Sequence, residues 1–342
     1  GQNKAMNEIT SRFLPPEDAQ RRELHNEVHA RPSARVRLPA LIVYVAVLNE
    51  GVSREQELAH LRLLPGHADL SLERMQGNFM RLRCDHYTVK WERHTEFTRY
   101  SIVQSLPAHA LWGSELPELA AHLAPGTDWL RGLPGQTMAA IHLGMVHADV
   151  MASDLMTKAQ AWLGDGAVLA SRMGNTTEGL PHSCIMTHFR IGPDGFERML
   201  VLAPEGTSEA RAGRISQRLL EMETYRLMAL RGLPVAKNLS ATLSQAEAQL
   251  ADITGLLERK GETDQALLDL LVSLAARIER ATAENGFRFS ATRAYDTLVS
   301  QRLAELRERP ISGTQTLGEF MQRRLSPAMA TVQATEKRLA SL

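Results

Sequence analysis

The sequence Trp91-Glu92-Arg93-His94-Thr95-Glu96-Phe97-Thr98-Arg99-Tyr100, the Trp91–Tyr100 block, is rich in side chains that ionise or form hydrogen bonds. Apolar sequence of strand character flanks it on both sides. A chain rarely brings so many polar groups into a sheet without a structural or chemical reason, because burying them without partners costs free energy. The rest of the chain is arranged around this block, so we expect it to be either a structural junction or a ligand site.

The segments around the block predict an α+β fold built on a mixed, mostly antiparallel sheet. Ala40–Leu48 is apolar and β-branched almost throughout, which is typical of a strand that is covered on both faces. Ser53 can cap the helix that follows this strand. Three further strands are predicted at Asn78–Cys84, Tyr87–Arg93 and Glu96–Gln104.

After a linker rich in Pro, Gly and Ala, the same order of elements returns. A strand, a helix and three more strands are predicted between Met138 and Leu202. One interpretation of the sheet domain, residues 1–205, is therefore two β-α-β-β-β units over residues 36–105 and 136–203. The other interpretation is a single mixed sheet with helices on one side and no repeat.

From Thr207 onward the apolar residues recur at alternating spacings of four and three, which predicts long helices. This spacing is that of the seam of an antiparallel helical hairpin or coiled coil. The seam consists of Leu239, Leu243, Ala246, Leu250, Ile253 and Leu257, followed by Leu267, Leu271, Leu274, Ile278 and Ala281. We therefore predict a helical stalk over residues 206–342 through which copies of the chain associate.

Composition narrows the functional classes. The chain has 342 residues with 39 basic and 39 acidic side chains, so no net charge attracts it to nucleic acid, and we expect no nucleic-acid partner. Its two cysteines, Cys84 and Cys184, are far apart and are typical of reduced, buried side chains in a cytosolic protein. The G-x-S-x-G, P-loop and G-x-G-x-x-G motifs do not occur. The sequence requires no cofactor and favours a protein that is not an enzyme.

Glu92, His94 and Glu96 would share one face of the sheet if residues 89–100 formed an unbroken strand. Two carboxylates and an imidazole on one face could bind a divalent metal ion. They could instead transfer protons, because imidazole titrates near neutral pH. The block is therefore a candidate metal or catalytic site.

The alternative is a structural network in which Arg31 or Arg93 pairs with Glu92 or Glu96 to hold neighbouring strands together. Ion-pair networks of this kind have the same residue types as functional sites. Strands usually run five or six residues, so we also expect a bulge near His94, which would change which side chains share a face.

Two other segments hold residues that could join the block. Glu27 and His29 lie on a helix predicted near the start of the chain and could add metal ligands. A stripe on the long helix after Thr207 could dock that helix onto the sheet near the block, or could be a solvated face. The stripe consists of Arg214, Arg218, Glu221 and Tyr225.

Three blocks of the sequence resemble one protein family. Glu27-Val28-His29-Ala30-Arg31-Pro32 is similar to the family motif N-E-L-H-A-R-P, with Val28 in place of leucine. Trp91-Glu92-Arg93-His94-Thr95-Glu96-Phe97 matches W-E-R-H-T-E-F throughout. The segment 213–226 resembles G-R-L-V-Q-R-L-L-E-I-E-T-Y-R. The family is domain-of-unknown-function family 3422, a group of uncharacterised bacterial membrane-anchored proteins.

This resemblance implies a membrane anchor and a location but no activity. It implies that the natural protein continues past Leu342 into a C-terminal transmembrane segment. This chain would then lie at the cytoplasmic face of the bacterial inner membrane. The last predicted helix keeps its apolar spacing to the end and has no C-cap glycine, so we expect the chain to be truncated.

Three functions are compatible with these observations. The first is a scaffold or regulatory module without catalysis, whose helical stalk assembles copies of the chain. The second is the soluble part of a divalent-cation transporter, because a sheet domain that leads through long helices to a membrane segment resembles the layout of CorA-type magnesium transporters. The third is a metal-dependent hydrolase that uses Glu92, His94 and Glu96.

Overall fold

One sheet collects strands from most of the chain. The computed structural model describes residues 13–29, 34–107, 124–164, 166–259 and 264–342. The strands are β1 (Ala40–Leu48), β2 (Phe79–Arg83), β3 (Tyr87–Arg93), β4 (Phe97–Ser105), β5 (Gln136–His147), β6 (Leu169–Met173), β7 (Ser183–Thr187), β8 (Glu197–Ala203) and β9 (Arg309–Pro310). Within the described residues these nine strands lie in the order β2-β3-β4-β1-β5-β8-β7-β6-β9.

Helices cover both faces of this sheet. They are α1 (Arg21–His29), α2 (Arg54–Leu61), α3 (Thr127–Arg131), α4 (Leu155–Leu163), α5 (Glu209–Leu230), α6 (Gly232–Glu258), α7 (Asp264–Leu306), α8 (Leu317–Arg324) and α9 (Ser326–Ser341). The sequence also predicts a separate helix over Ser290–Arg307, but α7 continues through Ser290 without a break. In the parts of the chain that the structure describes, no helix combines the length and the apolar character needed to cross a membrane.

The pairing of the strands confirms the predicted mixed, mostly antiparallel sheet. Every neighbouring pair is antiparallel except β5 and β8, which are parallel. Two successive runs of strand, helix and three strands meet at the centre, where β1 pairs with β5. In the first run β1 is antiparallel to the last strand, β4, whereas in the second run β5 is parallel to the last strand, β8. The two runs share the order of their elements but differ in strand direction, and their origin by duplication stays a prediction.

β1 is covered on both faces, as its composition predicts. Alternate side chains of a strand point to opposite faces. One set packs with α2 and α4 in one hydrophobic core, and the other packs with the long C-terminal helices in a second core. The first set is Leu41, Val43, Val45 and Val47, and the second is Ala40, Ile42, Tyr44 and Ala46. Ser53 caps α2 as predicted, its Oγ accepting a hydrogen bond of 3.2 Å from the backbone nitrogen of Gln56.

The C-terminal helices form a layer on the second face of the sheet. α5 crosses the sheet and contacts β5, while α6 and α7 pack against each other and against α9. Gly232 lies against Thr292 and Gln249 bonds Arg277, so α6 and α7 run antiparallel. The segment after α7 adds β9 to the edge of the sheet beside β6. Of the predicted seam, Leu239, Leu243, Ala246, Ile253, Leu267 and Leu274 are buried, whereas Leu250, Leu257 and Leu271 are exposed.

Gly213 marks the place where α5 crosses the chain that leads into β1. A Cβ atom at this position would collide with the carbonyl oxygen of Ala34 and would lie 2.9 Å from the backbone nitrogen of Arg35. The crossing is held by a hydrogen bond of 3.0 Å from the backbone nitrogen of Val36 to the carbonyl of Glu209. Only glycine lets the two backbones approach so closely.

We expect Gly213→Ala to lower the free energy of unfolding by about 2 kcal/mol, because overpacking against rigid backbone forces the crossing apart. Gly255→Ala in α6 is the matched control, since a Cβ there meets no atom within 4 Å. That variant should gain up to about 1 kcal/mol from the helix propensity of alanine. Urea denaturation of both variants measures the difference, and equal stability of the two would contradict the close approach.

Candidate functional site

The Trp91–Tyr100 block forms a β-hairpin rather than one strand. β3 and β4 pair with Trp91 opposite Tyr100, Glu92 opposite Arg99 and Arg93 opposite Thr98. The chain reverses at residues 95–96, and the backbone nitrogen of His94 donates to the carbonyl of Phe97 over 2.8 Å. This two-residue turn replaces the expected bulge.

The turn decides which side chains share a face. In an unbroken strand Arg99 would point away from Glu92, but across the hairpin the two residues are direct neighbours on one face. Trp91 and Tyr100 point the other way, into the core beneath α2. Arg93 points the same way as Trp91 and donates to Oε1 of Glu57 over 2.7 Å. The predicted pairing of Arg93 with Glu92 or Glu96 is therefore replaced by a pairing with α2.

Glu92 and Arg99 begin a chain of buried charges that crosses from the sheet to the helical layer. Nε and Nη2 of Arg99 donate to Oε2 of Glu92 over 3.1 and 2.6 Å. Nη2 of Arg99 also lies 3.6 Å from Oε1 of Glu221 on α5. Glu221 in turn accepts hydrogen bonds from Arg302 on α7 (2.9 Å) and from Tyr225 (3.3 Å).

The pKa values of these buried charged residues follow from their ion pairs. Burial alone would raise the pKa of Glu92, but hydrogen bonds from His94 and Arg99 and the charge of Arg99 hold it well below its usual range. Burial likewise acts to raise the pKa of Glu221, and the charges of Arg99 and Arg302 outweigh it. Both carboxylates therefore stay ionised, and the pKa of Arg99 is raised because Glu92 stabilises its charge against the effect of burial.

Glu96, at the turn, ties the hairpin to two helices. Its carboxylate accepts hydrogen bonds from Nη1 of Arg231, between α5 and α6 (3.1 Å), and from the hydroxyl of Tyr295 on α7 (2.7 Å). Arg288 on α7 donates to both of its oxygens. Burial would raise the pKa of Glu96, but the bonds from Arg288 and Tyr295 and the charges of Arg288 and Arg231 lower it.

His94 lies on the same side of the sheet as Glu92. Its ring stacks on Phe97, with 4.6 Å between ring centroids, and its Nε2 atom lies 3.6 Å from Oε2 of Glu92. Glu96, by contrast, is occupied by its arginine and tyrosine partners. Across the described ranges, no three His, Cys, Asp or Glu side chains are grouped so that they could hold a metal ion.

Some of the other predicted site residues belong to this network, and others lie outside it. Glu221 and Tyr225 dock α5 at the hairpin. Arg218 pairs instead with Glu305 over 3.0 Å, and Arg214 is exposed. Glu27 and His29 lie in α1, and their side chains, like the whole of Arg31, lie outside the described residues.

Sequence reasoning missed five partners of the network. These are Arg99, Arg231, Arg288, Tyr295 and Arg302. Arg99 could have been found by pairing β3 with β4 as a two-residue hairpin, which places it opposite Glu92. The helical residues carry no such signal, because their positions depend on how α5 and α7 lie on the sheet.

A second buried network includes Glu223 and Arg226 of α5, close to Tyr225 in the sequence. Arg226 donates to Glu223 and lies 3.8 Å from Glu197 on β8. Burial raises the pKa of Glu197, and the neighbouring carboxylate of Glu223 raises it further. The pKa of Glu197 is therefore raised, although the charge of Arg226 acts to lower it.

We expect Glu96→Gln to lower the free energy of unfolding by about 2–3 kcal/mol at pH 7, because it leaves the two arginines without their buried counter-charge. The folded pKa of Glu96 is lowered, so its stabilisation is present above the ordinary value of 4.5 and is lost as the pH falls further. The difference between wild type and variant should therefore shrink at pH 3. Urea denaturation at both pH values measures it, with Thr95→Ala in the same turn as control. A difference that is equal at pH 7 and pH 3 would contradict the ion pairing.

Comparison with known proteins places the chain in a family without a known activity. No curated protein and no solved structure is significantly similar to it. The family model described as a protein of unknown function, DUF3422, matches residues 16–342. The match covers nearly the whole chain and confirms the resemblance of the three sequence blocks, so this chain belongs to the DUF3422 family.

Proposed function

We propose that this chain is a non-catalytic scaffold or regulatory module of a membrane-anchored bacterial protein, and that it self-associates through its helical hairpin. The observation that carries the proposal is the apolar surface at the hairpin tip, defined as residues 250–259 and 264–272. Besides Leu250 and Leu271, four large apolar side chains are exposed there. They are Leu257, Leu268, Leu270 and Val272, with exposed fractions of 62, 53, 48 and 61%.

A second copy of the chain is the partner that fits this surface. Exposed apolar patches mark interaction surfaces, because leaving them in water costs free energy. Two copies related by a two-fold axis would each cover the tip of the other. The Trp91–Tyr100 block supports a structural rather than a catalytic role in this proposal, since its carboxylates are engaged by arginines. No contact among the described residues favours a transporter or a hydrolase over a non-catalytic module.

Self-association is tested by analytical ultracentrifugation of wild type and of the double variant Leu268→Glu/Val272→Glu. We expect the wild type to form dimers or larger species as its concentration rises. The double variant should stay monomeric, because four charges brought together in a dimer lose their water. Ala294→Glu, an exposed change on α7 away from the tip, should behave as wild type. The samples should span a 100-fold range of concentration, with the highest on the order of 100 µM. A wild type that remains monomeric over the whole range would rule against the proposal.

The membrane part of the proposal concerns the full-length natural protein and is supported by the three sequence blocks. We expect that protein to sediment with bacterial membranes and to remain there after a wash with high salt. Salt screens charges but does not release a transmembrane helix. Recovery of the full-length protein in the soluble fraction would contradict the anchor.

A further inference from the structure

A cavity of about 250 Å³ lies between the sheet and α5, beside the Glu92–Arg99 pair. Strands β2, β3, β4 and β1 form its floor, and the first half of α5 covers it together with residues 35–36. Basic side chains dominate its wall, while Glu92 and Glu209 are the acidic ones. The basic side chains are Arg35, Arg81, Arg83, Lys90 and Arg99.

Two of these cations face each other directly on the floor. Arg81 on β2 and Lys90 on β3 are cross-strand partners in the antiparallel register. Like charges in this position destabilise a sheet, because the strands hold them close together. Arg81 and Lys90 therefore repel each other, although the pairing of β2 with β3 does not require charged residues at these positions.

No described carboxylate is bonded directly to either of these two charges; the nearby Glu92 acts on Lys90 but is hydrogen-bonded to Arg99. Neither Arg81 nor Lys90 forms an ion pair with a described residue, and the buried Nε atom of Arg81 has no hydrogen-bond partner there. Arg99, in contrast, is neutralised by Glu92 and lies near Glu221. Arg35 and Arg83 are exposed to solvent, so the less exposed positive charge that has no bonded partner lies on Arg81 and Lys90.

The lowered pKa of Lys90 is consistent with its position opposite Arg81. Burial lowers its pKa to about 8, and the charges of Arg99 and Arg81 act in the same direction against the opposing charge of Glu92. An ammonium group with an adequate counter-ion keeps its proton far above this pH. Burial and the two neighbouring cations make the charged form of Lys90 less favourable, and a bound anion would favour it.

We propose that this cavity binds a small dianion of the phosphate class, held by the guanidinium of Arg81 and the ammonium of Lys90. A guanidinium presents a fork of donors to two phosphate oxygens, and an ammonium group binds a third as a point charge. The volume corresponds to roughly eight water molecules at about 30 Å³ each, which suits phosphate or a small phosphate monoester. The ligand would neutralise the cross-strand repulsion, and the site is separate from the hairpin tip.

Isothermal titration of the wild-type chain with inorganic phosphate, and separately with glycerol phosphate, tests the site. Sodium chloride keeps the ionic strength constant, so that general screening does not change. We expect saturable binding at one site per chain. Lys90→Met and Arg81→Met should each weaken it about tenfold or more, because each removes a charge-assisted hydrogen bond. Lys237→Met, on the exposed face of α6, should bind as wild type does.

A second measurement separates binding from a structural role. In chloride alone, Lys90→Met should raise the unfolding temperature, because it removes a half-buried charge beside two other cations. Phosphate should not raise the unfolding temperature of this variant further. Tighter binding of glycerol phosphate than of phosphate would identify an ester as the ligand, and equal binding would identify the free ion. Absence of saturable binding of either to wild type, or unchanged binding by both Arg81→Met and Lys90→Met, would overturn the proposal.

Discussion

The carboxylate of Glu96 joins the β3–β4 hairpin to the helical layer, where it bonds to α7 and to the junction of α5 and α6. A buried carboxylate is stable only when donors surround it. The hairpin turn holds Glu96 in one place, while its partners Arg231 and Arg288 come 135 and 192 residues later in the chain. These partners lie at the junction of α5 and α6 and on α7, so a single side chain of the sheet locates three helices. The Glu92–Arg99–Glu221–Arg302 chain acts beside it and fixes α5 and α7 on the same face.

The cations on this face of the sheet differ in their partners. Arg99 has a carboxylate on either side, and its charge is part of the packing between sheet and helix. Arg81 and Lys90, only one or two strands away, have no described carboxylate bonded to them. The buried charges at the hairpin are paired with one another, whereas Arg81 and Lys90 lie beside a cavity without a bonded carboxylate. This contrast favours a ligand in the cavity over a defect of packing. A phosphate-class ligand at this position would lie under α5, the helix that links the sheet to the hairpin proposed for self-association.

Much of the fold could be predicted from local patterns. β1 was predicted as a strand covered on both faces because it is apolar at successive positions, and both of its faces are buried. The capping of α2 by Ser53 and the strand over residues 87–93 follow from equally local signals. The helix boundary predicted at Ser290 was wrong, since α7 runs through this position. The residues there favour a helix, and packing against α5 stabilises it. The parallel pairing of β5 with β8 had no local signal, since strand direction is decided by the connections between strands.

The sequence by itself determined the family, the class of fold and the presence of a charged junction at the Trp91–Tyr100 block. It could not determine which charges meet, because a side chain finds its partner through tertiary packing. Glu92 and Arg99 are seven positions apart, and only the two-residue turn puts them on one face. Glu96 lies two positions from His94, yet its partners come from α7 and the α5–α6 junction. The tertiary structure alone decided that the candidate metal ligands belong to separate ion-pair clusters, because buried carboxylates are most stable where arginines can reach them.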